Sequence, residues 1–269
     1  MTRFLLYAVL VTGLWTGALA AEVKAQAQSE DGARFYEAWG LDPVDPQALT
    51  DFGTLMANSG QVEEGRRYYS LALEQAPDFR EALYGAAVLD LESGKVIEGV
   101  VALRRLSRSQ DEFGARAHHQ LARQSARDGF PEEAMSHFLQ AHEAMPGNLE
   151  IGLDLATALV RRERYTEARD LAGELTAANP GSAYGYVIQG RALAGLGENQ
   201  ASRESFEMAL VQNPREPSAL FELASLAEKS GHLAEADALY RSTIDAASSR
   251  GEKELARRAR RALRGLGPR

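Results

Sequence analysis

GRALAGLGENQASRESFEMALVQNPREPSALFELA, residues 190–224, contains one full period of the pattern that decides the fold. Gly190 opens it, Gly197, Ser202 and Pro214 mark its interior, and Ala224 restarts it. Outward from this stretch the same small residue returns at Gly53, Ala87, Ala122, Ala156, Gly190 and Ala224, spaced 34, 35, 34, 34 and 34 apart. A second series keeps step at Gly60, Gly94, Gly129, Glu163, Gly197 and Gly231, and a third at Gly65, Gly99, Ala134, Ala168, Ser202 and Ala236. Pro77, Pro146, Pro180 and Pro214 close four units, with Asp111 and Ser248 at the corresponding places of the others. Six copies in phase describe an array of one supersecondary unit.

The period divides into two helices and a turn. In the first unit, Asp45-Pro46 gives a cap residue followed by proline at the first helical position, so a helix is expected from Pro46 to about Asn58. Gly60 ends it, because glycine accepts the left-handed geometry beyond a helix C-terminus. A second helix starts near Val62, with Glu63 and Glu64 where the helix dipole favours acid, and ends before Pro77. Asp78 and Glu81 have the spacing of a capping box for the next helix. Leu49, Phe52 and Met56, then Tyr68, Tyr69 and Ala72, fall at helical spacing. Gly53 and Gly65 are placed where the two helices cross, and bulk there would push the helices apart.

Composition limits the function. The 269 residues carry net charge −8, 45% apolar side chains and only 7% aromatics. An acidic chain lacks the basic footprint of a nucleic-acid binder. There is no cysteine, which excludes disulfides, thiolate metal sites, cysteine nucleophiles and a lipid-modified cysteine. Gly94-Lys95 lacks the rest of a phosphate-binding loop, since Leu89 and Val96 stand where glycine and Ser/Thr are needed. No HExxH and no nucleophile elbow occur, so no catalytic residues, cofactor or metal are expected. Four of the five histidines, His118, His119, His137 and His142, cluster in the third unit. His137 and His142 diverge by about 140° on a helix, which argues against a shared ligand face.

The ends differ from the array. Arg3, the apolar run Phe4 to Trp15, and Ala18-Leu19-Ala20 read as an export signal over 1–20, cleaved before Ala21. An uncleaved anchor is the second choice. Residues 21–32 are a polar tether. Phe35, Tyr36 and Trp39 mark 33–45 as an aromatic cap segment over the first unit. Residues 250–269 hold eight basic and two acidic side chains, net +6, leaving −14 for the rest. Leu255, Ala259, Ala262, Leu263 and Leu266 form an apolar stripe there, as a capping helix requires. Its arginines could also dock on an acidic partner or anionic lipid.

The chain resembles a tetratricopeptide-repeat (TPR) protein. The third unit shows Leu121, Ala122, Ala134, Phe138, Ala141 and Pro146, and the fifth Gly190, Ser202, Phe206, Ala209 and Pro214. The fourth shows Leu155, Ala156, Ala168 and Pro180, and the sixth Leu223, Ala224, Ala236 and Tyr240. Departures are local: Leu103 and Ala172 replace the aromatic, Leu106 and Leu175 the alanine, and Glu163 the turn glycine. The second unit is the most degenerate. The resemblance implies an all-α, right-handed solenoid of six repeats over 46–79, 80–114, 115–148, 149–182, 183–216 and 217–249, with a capping helix after them.

It also implies a groove lined by the first helix of each repeat. Carried over position by position, the lining is Gln47, Thr50, Thr54 and Asn58; Glu81, Tyr84, Val88 and Leu91; Arg116, His119, Arg123 and Arg127. It continues through Leu153, Thr157 and Arg161; Tyr184, Val187 and Arg191; Phe221 and Ser225. Tyr84, Arg116, His119, Arg123, Arg127, Arg161, Tyr184, Arg191 and Phe221 are the candidate partner-binding residues. They make a basic stripe with apolar ends, suited to a peptide bearing acidic residues or a free carboxylate. Asp154 and Glu150 are the groups that could instead neutralise it. Thr50, Thr54, Tyr84 and Val88 replace the Lys/Asn carboxylate clamp of co-chaperone TPR domains, which disfavours a chaperone-tail receptor. The expected function is a non-catalytic protein-interaction scaffold or adaptor in the bacterial envelope, located in the periplasm and serving assembly of an envelope, secretion or pilus complex. A self-assembling structural scaffold is the second reading.

Overall fold

The computed structural model describes residues 45–266. The expected signal, tether and aromatic segment, and the last three residues of the tail, lie outside the described residues. Among the described residues the chain forms thirteen α-helices and no strand. In order they are α1 (Pro46–Asn58), α2 (Val62–Gln75), α3 (Arg80–Glu92), α4 (Val96–Leu106), α5 (Glu112–Arg127), α6 (Pro131–Ala144) and α7 (Leu149–Arg161). Then follow α8 (Tyr165–Ala178), α9 (Ala183–Gly195), α10 (Asn199–Gln212), α11 (Pro217–Lys229), α12 (Leu233–Ser249) and α13 (Lys253–Gly265). The fold is an all-α helical-repeat solenoid. It divides within α5 into two compact units, one up to Gln120 and one from Leu121 onward.

In the first unit α1 packs on α2, α3 on α4, and α3 also on α1 and α2. The Asp45 carboxylate accepts from the Gln47 and Ala48 N–H groups, both at 3.3 Å, and so caps α1. Gly60 closes that helix at φ +81°, the left-handed geometry that favours glycine. The small residues at the crossing have a visible reason. A Cβ on Gly65 would lie 3.0 Å from the Gly53 carbonyl oxygen, and one on Gly53 would lie 2.8 Å from the Tyr69 ring. The buried Tyr69 also meets Gly85 of the next repeat, where a Cβ would lie 2.6 Å from the ring. One aromatic on α2 thus wedges α1 and α3 together, and its hydroxyl shares a 3.0 Å hydrogen bond with Thr54.

One local expectation changes. The capping box at Asp78 and Glu81 does not form: Phe79 is the residue before α3 and no side chain caps that helix. Asp78 is instead exposed and faces Arg105 at 3.5 Å. The turn into α5 takes the cap that α3 lacks. There Asp111 accepts from the Gly114 N–H at 2.9 Å and from the Ser109 hydroxyl at 2.7 Å.

In the second unit the pattern repeats with other aromatics. Ala122, Ala134, Met135, Phe138, Leu155, Leu159 and Ala168 form one buried cluster across α5 to α8. Val187, Phe206, Ala209, Ala219 and Leu223 form the next. Phe206 lies against Gly190, whose Cβ would come within 2.5 Å of the ring. Ser202 is fully buried at the same crossing and donates to the Gly190 carbonyl at 2.8 Å, so its hydroxyl is satisfied there. Asn148 and Ser182 cap α7 and α9 by accepting from the Ile151 and Gly185 N–H groups, each at 3.1 Å. Helix α13 closes this unit. Ala259 joins Ala224, Ala227, Ala236 and Tyr240 in a buried cluster, with Ala262, Leu263 and Leu266 packed on it. Burial, then the Glu228 carboxylate accepting from its hydroxyl at 2.7 Å, pushes the Tyr240 phenol well up.

Candidate binding surface

The first helices of the repeats carry the candidate residues. In the first unit, Arg116 on α5 lies 4.3 Å from the centre of the Tyr84 ring and 5.5 Å from that of Phe113. Glu112, one turn before it, is 3.7 Å away. Gln120 donates to the Tyr84 hydroxyl at 3.1 Å. Tyr84, Arg116 and Gln120 are therefore brought together, with the guanidinium stacked on aromatic faces.

His119 is placed elsewhere. It is 5% exposed, one turn after the fully packed Ala115, and belongs to the interior of the helix stack. Thr50 and Val187, carried into the groove by repeat position, are also buried, at 1% and 0%. Thr50 donates to the Pro46 carbonyl at 2.7 Å, and Val187 packs with Phe206 and Leu223. The positions that face the next repeat's first helix become core where neighbouring helices approach closely. His118 is held below the ordinary imidazole pKa by burial, partly offset by its bond to the Ser107 backbone. Among the described residues no group of His, Asp and Glu side chains has a metal-binding arrangement.

In the second unit the arginines divide into two kinds. Arg123 meets Glu150 at 3.0 Å and Asp154 at 3.8 Å, both on α7. Arg191 meets Glu222 of α11 at 2.8 Å, with both side chains about three-quarters buried. These cations are spent on joining one repeat to the next. The same connection recurs along this unit: Arg162 pairs with Glu132, Arg169 with Glu198 at 3.6 Å, Arg203 with Glu235 at 2.9 Å, and Arg215 with Asp245 at 2.7 Å. Arg127 and Arg161 end α5 and α7, are exposed, and make no ion pair among the described residues.

Beside Arg161, Leu153 and Thr157 continue the same face of α7 at intervals of four, both partly exposed. The Thr157 hydroxyl shares a 3.2 Å hydrogen bond with the Tyr184 hydroxyl, which ties α7 to α9 and holds the 38%-exposed Tyr184 ring upright. Phe221 is only partly exposed, lies edge-on to Tyr240 at 5.6 Å, and carries Arg258 of α13 over its face at 4.6 Å. The sequence reading missed Glu222 as a partner for Arg191 and Arg258 as a cover for Phe221. Glu222 was findable, because an acid about one period after an arginine recurs through the array. Nothing in the local sequence points Arg258 at Phe221. Among the described residues no helix is long and apolar enough to cross a membrane.

Residues 126–189 and 189–251 each match a family model described as tetratricopeptide repeat. No curated protein matches the sequence. A tetratricopeptide repeat protein from Parabacteroides merdae has a similar structure, with TM-score 0.59 at 15% identity over 83% of this chain and 93% of that one. A chain of the APC/C hetero-tetramer Cut9-Hcn1 gives TM-score 0.64 at 14% identity, over 90% of this chain and 46% of that one. The MamA protein gives 0.51 at 16% identity, over 64% and 93%. Identities this low speak for the fold alone.

Proposed function

The chain is a tetratricopeptide-repeat protein, and from that premise we propose that it is a non-catalytic interaction scaffold that holds an extended segment of a partner protein. One observation carries the reading. Arg127 and Arg161 occupy the same place in successive repeats and remain exposed without ion pairs among the described residues, whereas Arg123 and Arg191 are neutralised. On the Arg161 face of α7, Leu153 and Thr157 supply apolar and hydroxyl contacts, and Thr157 is bonded to the exposed Tyr184 of α9. A segment with a carboxylate for the arginines and an apolar side chain for Tyr184 fits that surface, since guanidinium groups take carboxylates bidentately and aromatics anchor at low entropy cost. The placement at helix C-termini also suits cations electrostatically, so a merely solvated pair is the alternative that the experiment must separate.

The proposed location is the periplasm, in assembly of an envelope complex, supported by the apolar run Phe4–Trp15 and the small-x-small Ala18-Leu19-Ala20 in the amino-acid sequence. The test is affinity capture from envelope extract. Arg127→Gln with Arg161→Gln is expected to lower recovery of the captured partner by about tenfold or more, as loss of two charge-assisted contacts implies, with the helical melt lowered only slightly. Equal recovery by variant and parent would sink the proposal.

A further inference from the structure

Two helix faces outside the groove break the repeat's own rule. On α4, Ile97 and Val101 are 77% and 63% exposed, one turn apart. Their counterparts in other repeats are mostly polar: Glu63 and Glu132 stand at the first place, Arg67 and Asp170 at the second. On α10, Met208 and Val211 are 40% and 68% exposed. Glu174 and Ser242 are counterparts of the first, Glu143 and Asp245 of the second. Exposed apolar pairs set at helical spacing into positions given mostly to polar residues, with Leu71 the large apolar exception, mark contact surfaces.

The charges around the two pairs are opposite on balance, although Glu98 lies beside the α4 pair and Arg203 lies 3.9 Å from Glu207 on α10. The α4 stripe continues from Ile97 and Val101 to Arg104 and, just beyond the helix, Arg108. The α10 stripe continues from Met208 and Val211 to Glu204 and Glu207. One face is apolar and basic, the other apolar and acidic, and every molecule carries both at equal concentration. An anionic membrane would account for the first and leave the second unexplained.

We propose that the chain associates head to tail with copies of itself, the Ile97/Val101 face of α4 in one molecule meeting the Met208/Val211 face of α10 in the next. Such a contact joins two different patches. Unless two copies pair reciprocally, it leaves a free patch at each end and grows into a ring or an open filament. It uses second helices of the repeats and leaves Arg127, Arg161 and Tyr184 available, so it stands independently of groove binding. It gives the self-assembling reading of the sequence a definite surface.

The test uses the full-length chain in light scattering and sedimentation, over a concentration series reaching about 1 mM so that even a weak contact is populated. The parent is expected to grow in mass with concentration and to shrink as salt screens the Arg–Glu attraction. Ile97→Glu with Val101→Glu blocks one face, and Met208→Glu with Val211→Glu blocks the other. Each variant alone should stay monomeric, yet an equimolar mixture should give a one-to-one complex that grows no further, because each partner retains one intact face. Should either variant lose its helical circular dichroism, Arg104→Glu with Arg108→Glu and Glu204→Lys with Glu207→Lys make the same pair by charge alone. A parent that stays monomeric throughout overturns the proposal. So does an oligomer that persists in both variants, or a mixture that forms no heterodimer.

Discussion

Glu163 holds a backbone geometry that the other repeats give to glycine. Its φ is +58°, and Gly60, Gly94, Gly129, Gly197 and Gly231 occupy the same turn position at φ between +78° and +86°. A side chain in the left-handed region costs about 1–2 kcal/mol. Glu163→Gly is therefore expected to stabilise the second unit by about 1 kcal/mol, less than the full strain because glycine also loosens the unfolded chain. Urea unfolding measures it, and a lower midpoint would contradict the account. The turn series was legible in the amino-acid sequence because φ is a property of one residue and its chemistry. So was the crossing series, where Gly53 and Gly190 face aromatic rings too closely for a Cβ, whereas the same approach at Gly85 falls outside that series. The interior place of His119 was not legible, because its burial depends on how closely neighbouring helices approach.

Between helices, the recurring device is an arginine paired with an acid about one repeat away. Arg123 with Glu150 and Asp154 is the clearest case on the candidate surface. Its substitution tests structure more than binding. Arg123→Glu sets a third carboxylate beside two others and should lower stability by about 1 kcal/mol, the upper end for a largely exposed pair. Arg127→Gln, with no ion pair to lose among the described residues, gives up only a cation at the α5 C-terminus and should lower the urea midpoint less than Arg123→Glu does. If the two variants unfold alike, the division of arginines into linking and free is wrong. The sequence identified the basic side chains and named Glu150 and Asp154 as candidates to neutralise them. It could not choose, because the choice depends on which way a long side chain leans across two helices.

At the scale of the molecule, stability in a repeat array is a sum of repeats and the interfaces between neighbours, and the last repeat needs a cover. Here α13 supplies it, burying Ala259 against Ala224, Ala236 and Tyr240 and setting Arg258 on Phe221. Removing residues 253–266 should open α11 and α12 to hydrogen exchange, while α3 and α4 keep their protection. Uniform loss of protection across the chain would show that the array unfolds as one body. The fold could be read from the period, the helix-cap and turn residues, and the family resemblance they carry. The division within α5 could not, since both units obey the same period.

The ion pairs between repeats also bear on modularity. Excising residues 149–182 would remove one whole period and leave the remaining helices in phase. By position, however, Tyr184 and Ile188 would then stand where Arg123 now finds Glu150 and Asp154, and Leu196 where Glu132 now finds Arg162. The copies share a shape without being interchangeable. Each repeat is fitted to the neighbour that follows it, so the order of the six is itself written into the charges.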